Sequence, residues 1–245
     1  MRHSIVVFIL LILSIRCATM TSMTRITYVN EVLYSLNLSQ VDRPKETRQR
    51  WGDVAKIELS EKDKYHYEDD LFEGFFIVSS DRIFFEIKNK TDHSIKIIWD
   101  EASFVDISGN SGRIMHSGVK YIDRNSSQPP SVVPAHGKYN DVILPSDRVW
   151  YREGYYGTYY SKSGGWEHLG LIQPQFEITS PVQQSSQVAI SDSLKLKAGE
   201  QVGKRIGVLL PFEIQGVVNE YTFWFEVTEY NILNPVPVSS HPLFN

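Results

Sequence analysis

The sequence predicts an all-β, antiparallel fold, a sandwich or barrel, and three observations lead there. Strict apolar alternation recurs along the chain: Ile83, Phe85 and Ile87, then Ile95, Ile97 and Trp99, and again over Ile206–Ile214 and Tyr221–Val227. Strand side chains point to opposite faces with period two, so each run offers one apolar face to a core. The runs are short, at roughly 8 to 15 residue spacing with turn residues between them, and no strong helical period competes.

The chain in order begins with Met1–Ser4, a short basic start, followed by the apolar run Ile5–Ile15, broken only by Ser14. A spanning helix needs about 20 apolar residues, so this run is too short to span. It fits the core of a signal peptide, about 7 to 15 residues. Cys17, the only cysteine, follows. A basic start, an apolar core and a cysteine resemble the signal peptide of bacterial lipoproteins, with Leu13 as the large apolar residue ahead of the cysteine. That resemblance covers residues 1–17 and implies that Cys17 is lipidated, becomes the first mature residue and holds the protein on a membrane. Arg16 departs from the pattern, which places a small residue there, and export as a soluble protein cleaved near Ala18 is the second reading. One cysteine allows no intramolecular disulfide. No second apolar run of spanning length occurs.

Residues 18–64 read as a tether and N-terminal extension. Arg25–Leu38 suggests a strand, and Ser39–Lys64, charged and carrying Pro44, reads as an exposed excursion. The β domain is expected over 65–233. Tyr65–Ser80 reads as a strand pair or one bent strand, with a bulge at Gly74. Arg82–Asp106 reads as a hairpin whose strands flank the turn Asn89–Ser94. Arg113–Tyr121 reads as a strand, and Val142–Pro145 ends another. Residues 125–136 carry three prolines and read as irregular. Ile206–Ile214 and Tyr221–Val227 form a second hairpin. Residues 234–245 hold three prolines and read as an extended or frayed tail.

Tyr67–Val227 resembles an uncharacterised immunoglobulin-like domain common among bacterial envelope lipoproteins. The matching residues are Tyr67-Glu68-Asp69, Asn89-Lys90-Thr91, Trp99-Asp100-Glu101, Val105-Asp106, Gly109, Met115–Tyr121 and Pro145. The resemblance implies an immunoglobulin-like antiparallel β-sandwich with long loop insertions, and a place in the cell envelope. It carries over no catalytic residues.

Composition narrows the function classes. The 245 residues are 42% hydrophobic and 22% charged, with net charge −4. That balance, without a clustered basic surface, argues against nucleic acid as the main partner. Glu68, Asp69, Asp70 and Glu73 invite a calcium reading, but the alternating DxDxDG order is absent and a solvated acidic turn fits better. Gly199–Arg205 lacks the spacing and the hydroxyl of a phosphate loop and reads as a turn entering the next strand. The six histidines beyond residue 17 show neither HExxH nor a short His-x-His spacing, so no metal or other cofactor is expected. His116, with Asp123 nearby, is the least ordinary polar group and reads as a hydrogen-bonded structural histidine. A hydrolase using His116 is the outlying alternative.

The best recognition candidate is aromatic. Trp150, Tyr151, Tyr155, Tyr156, Tyr159, Tyr160 and Trp166 lie close together with glycines between them. Such rings supply large rigid contact area with polar tips and suit protein interfaces or sugar faces. The plainer reading is that these rings pack on a flank of the fold and cover its edge. The expected function is a non-enzymatic, envelope-anchored binding or structural module, with carbohydrate binding through residues 150–166 as the alternative. Its expected partners are the membrane and a protein or glycan.

Overall fold

The computed structural model describes residues 25–29, 32–52, 56–61, 64–156, 161–172, 177–181, 192–233 and 236–237. The signal segment, Cys17, Tyr159, Tyr160 and most of the tail lie outside the described residues.

The first elements are β1 (Arg25–Val29), β2 (Val32–Asp42), helix α1 (Lys45–Trp51), β3 (Lys56–Glu61), β4 (Lys64–Glu68), β5 (Phe72–Val78) and β6 (Ile83–Asn89). Next come β7 (Ile95–Ile97), β8 (Ser103–Val105), β9 (Ser111–Met115), β10 (Ser131–Val133) and β11 (Lys138–Pro145). A 3-10 turn at Ser146–Arg148 leads into β12 (Val149–Arg152), β13 (Tyr155–Tyr156), β14 (Ser161–Lys162) and β15 (Gly165–His168). The remainder is β16 (Glu177–Pro181), α2 (Asp192–Gly199), β17 (Arg205–Ile214), β18 (Val217–Ile232) and β19 (Val236–Pro237).

Twelve strands form one antiparallel sheet that folds over on itself. In one half β17 lies between β18 on one edge and the short β7 and β8 on the other, and β2 flanks β18. The other half runs β11-β6-β5-β4-β3. Strand β9 joins the halves, pairing with β8 and, through Met115 and Ile114, with Leu144 and Pro145 of β11. Across from that seam β2 meets β3 and β4 without a ladder, and Tyr65 donates to Asn37 at 2.6 Å. The fold is therefore all-β with a nearly closed antiparallel sheet and few helices. The all-β, antiparallel class is as expected from the sequence, and the strands of both halves are linked through the β8–β9–β11 ladders.

Side chains from both halves fill the interior. Phe76 meets Phe223 at 4.6 Å between ring centres, Phe72 meets Phe212 at 5.0 Å, and Tyr67 meets Phe223 edge-on at 5.7 Å. The alternation of Phe72, Gly74, Phe76 and of Tyr221, Phe223, Phe225 puts every ring on the inner face. Gly74 is not a bulge, since its register with Tyr67 is regular. A β-carbon there would lie 3.2 Å from both the Phe72 and the Phe76 rings, so glycine makes room for them. Strands β17 and β18 form the expected second hairpin over a two-residue turn. Gln215 and Gly216 both have positive φ, 51° and 76°, matching the twist a tight hairpin requires.

The hairpin expected at Arg82–Asp106 does not form. Strand β6 pairs with β5 and β11, while β7 pairs with β10 and β17, so the two belong to opposite halves. The turn-forming residues between them instead build a crossover. The Asn89 side chain donates to the carbonyls of His93 and Pro134, at 2.6 and 3.0 Å, and pins β6 to it. Two further expectations are revised. The excursion at 39–64 contains α1 and β3, and the strand from Arg113 ends at Met115, with Tyr121 in a 3-10 turn.

Candidate functional site

The aromatic segment leaves the sheet at the end of β11 and returns as the β12–β15 hairpin. Register pairs Val149 with His168 and Tyr151 with Trp166, which puts these four on one face. That face rests on a small core of its own, Met115, Leu144 and Val149, with Val119, Tyr121 and Trp166 packed against it. Trp166 is enclosed: Tyr121 and Tyr151 meet it edge-on, each at 5.5 Å, and the Arg124 guanidinium lies over it at 5.5 Å. Tyr151 is 54% exposed. Trp150 is half-buried and faces the other way, beside the Arg152–Glu167 ion pair at 2.8 Å. Tyr155 and Tyr156 pair through their backbones with Lys162 and Ser161, and their side chains lie outside the described residues. The structure thus joins Tyr151 to Trp166 and separates Trp150 from them. Tyr121, Arg124 and His168 complete the cluster; His168 ends β15 itself, whereas Tyr121 and Arg124 come from a distant turn that the aromatic run does not signal.

His116 sits in a connected polar chain at the seam. Its Nδ1 is 3.0 Å from Asp141 Oδ2, and its ring stacks on Trp99 at 4.4 Å and 10°. Asp141 also accepts from the Ser117 and Val142 backbone N–H groups, each at 2.7 Å, and from the Tyr139 hydroxyl. Tyr139 continues to Ser131, which accepts from Trp99 Nε1 at 2.9 Å. Burial pushes the Tyr139 hydroxyl up to about 12, helped by Asp141, so it remains a donor. The ionised Asp141 makes Nδ1 of His116 the donor in this contact. Nε2 is buried and meets no hydrogen-bond partner among the described residues. The arrangement has the carboxylate and imidazole of a triad, but no hydroxyl or thiol reaches Nε2 among those residues.

Burial opposes the charge on Asp141. The hydrogen bonds from His116, Ser117, Tyr139 and Val142 outweigh it and hold the carboxyl at about 2, below its ordinary 3.8. A folded-state value below the unfolded one stabilises above the unfolded pKa, and that stabilisation is lost as pH falls through about 2. An acid titration followed by circular dichroism should therefore show the protein losing about 2 kcal/mol between pH 4 and pH 2. Asp141→Asn should remove that component of the titration. An unchanged acid limb in the variant would contradict the assignment.

The acidic turn is not solvated at its centre. Asp69 is buried and accepts from Tyr67 and Tyr221 hydroxyls, from Arg43 Nη1, and from the backbone of Leu71 and Phe72. No group of three or more His, Cys, Asp or Glu residues is placed to hold a metal ion among the described residues. Gly199 closes α2, and residues 200–204 form the turn expected before β17.

Comparison with known proteins yields no match to a family model, a curated protein or a solved structure.

Proposed function

We propose that this protein is an exported, lipid-anchored binding module of the bacterial envelope, non-enzymatic, whose contact surface is the β12–β15 hairpin. The nearly closed sheet is read as an immunoglobulin-like sandwich, and Cys17 as the lipidated residue. The observation that carries the reading is the combination of an exposed Tyr151 with an enclosed Trp166 beneath it. A hairpin clamped by its own small core presents its outer ring with little ordering cost on binding. Trp166, partly buried, already meets Tyr121, Tyr151 and Arg124, which favours a protein contact over a stacked sugar at this hairpin.

Two measurements test it. The mature N-terminal peptide should carry acyl chains on Cys17, whereas a free N-terminus beyond Cys17 in a soluble protein would remove the anchor. Tyr151→Ser should leave stability within about 0.5 kcal/mol, as an exposed substitution does. The same change should cut cross-linking to envelope proteins at least tenfold, roughly the effect of losing one aromatic anchor. A large fall in melting temperature with cross-linking retained would instead make Tyr151 part of the hairpin's core.

A further inference from the structure

A second surface, on the outer face of β4-β5-β6-β11, has the features of a ligand groove. The register lines up Lys64, Ile77, Phe84 and Val142 in one row across the four strands. The neighbouring row is His66, Phe75, Glu86 and Asn140. Lys64, Ile77 and Phe84 of the first row and Phe75, Glu86 and Asn140 of the second line an open groove of about 470 Å³, and three strand spacings across these strands are about 14 Å. Its floor is apolar, with Ile77 46% and Phe84 42% exposed. The Phe84 ring meets no other ring or cation among the described residues, whereas Phe75 is covered by His66 at 4.8 Å and by Lys64 Nζ at 5.0 Å.

The polar groups divide between the two ends. Asn140 and the Lys138–Glu86 ion pair, at 3.0 Å, place donors and acceptors side by side at the β11 end. At the β4 end stands Lys64, which makes no ion pair among the described residues. The groove therefore offers a flat aromatic platform, mixed hydrogen-bonding groups on one side and, on the other, a lysine whose ammonium lies over Phe75 and has no ion-pair partner among the described residues.

We propose that this groove binds a short acidic oligosaccharide, one sugar lying on Phe84 and a uronate carboxylate meeting Lys64. A pyranose has an apolar C–H face and a rim of hydroxyls that both donate and accept, which matches the floor and the Asn140 end. A fatty acid fits worse, because the half-open groove would leave its chain in water. An added peptide strand fits worse too, since β4, β5 and β6 are paired on both edges and the groove lies on their face. The proposal deepens the binding-module reading by naming a ligand class, at a site separate from the hairpin.

The test is calorimetric titration of the full-length protein with a galacturonate trisaccharide at low salt, and with neutral maltotriose for comparison. The acidic trisaccharide should bind, and its affinity should fall at least about tenfold with Phe84→Ser, through loss of the stacking ring. Lys64→Gln should cost about tenfold and abolish the salt dependence, leaving the acidic and neutral trisaccharides alike. Tyr151→Ser should leave this binding unchanged, which separates failure here from failure at the hairpin. Both groove residues are at the surface, and an unchanged thermal transition would confirm that each variant folds. Absence of heat with the acidic trisaccharide would overturn the proposal, as would binding indifferent to both groove substitutions. A protein dimer dispersed by Phe84→Ser, without sugar binding, would assign the face to a second copy instead.

Discussion

Asp69→Ala should remove about 3 to 5 kcal/mol of stability, the range for breaking a buried ion pair from one side. The Arg43 and Asp69 side chains are 4% and 0% exposed, with Nη1 3.0 Å from Oδ2. Losing the carboxylate takes the anionic partner from a buried guanidinium that also donates to the Gly52 carbonyl at 3.0 Å. It also orphans two phenol hydroxyls, which donate at 2.9 and 2.8 Å from Tyr67 and Tyr221. Burial, then the Asp69 charge, raises both phenols far above the ordinary range and keeps them protonated as donors. A small domain has about 5 to 15 kcal/mol in total, so Asp69→Ala should leave it near the edge of folding. Tyr221→Phe removes one donor from a carboxylate that keeps four others, and should cost about 1 to 2 kcal/mol. Urea unfolding of both variants checks the ranking, and an Asp69→Ala midpoint equal to the parent's would refute it.

Phe223→Ala should cost about 3 to 5 kcal/mol, the usual loss for deleting a buried phenyl ring. Phe223 is fully buried and meets rings from the opposite half, Phe76 at 4.6 Å and Tyr67 at 5.7 Å. Its neighbours on β18, Tyr221 and Phe225, are buried in the same inner row. The cavity would lie where the halves face each other, and backbone ladders on each side limit how far it can collapse. Phe84→Ala, on the outer face of β6, should cost under 1 kcal/mol by contrast. The pair distinguishes inner from outer faces in one thermal unfolding experiment. Equal losses would mean that the inward and outward assignments are wrong.

Those two substitutions mark what could be read without coordinates. Phe223 and Phe85 were legible, because period-two alternation is local and states which residues share a face. The β17–β18 hairpin was legible for the same reason, since its strands are separated by two residues and each long run can pair only with its neighbour at little loop cost. The segment from Arg82 to Asp106 has the same local pattern, yet β6 and β7 part company. Alternation says which face is apolar and nothing about which edge meets which. The outcome depended on edges supplied by β11, β10 and β17, far along the chain.

The candidate sites divide in the same way. The aromatic density at 150–166 was visible as composition, but two of the partners that meet Trp166, Tyr121 and Arg124, come from the turn around Tyr121. The acidic turn was visible too, and its buried centre was not. Arg43 lies 26 residues before Asp69 and Tyr221 lies 152 after it. A carboxylate is solvated or buried according to what the fold brings to it. By itself the sequence determined the all-β class, the inward and outward faces and the second hairpin, because these rest on residues adjacent in the chain. Only the tertiary structure decided the strand order, the near-closure at Tyr65 and Asn37, the Asp69 network and the outer groove. Each of those is assembled by long-range pairing, where burial and hydrogen bonding depend on partners that no local pattern names.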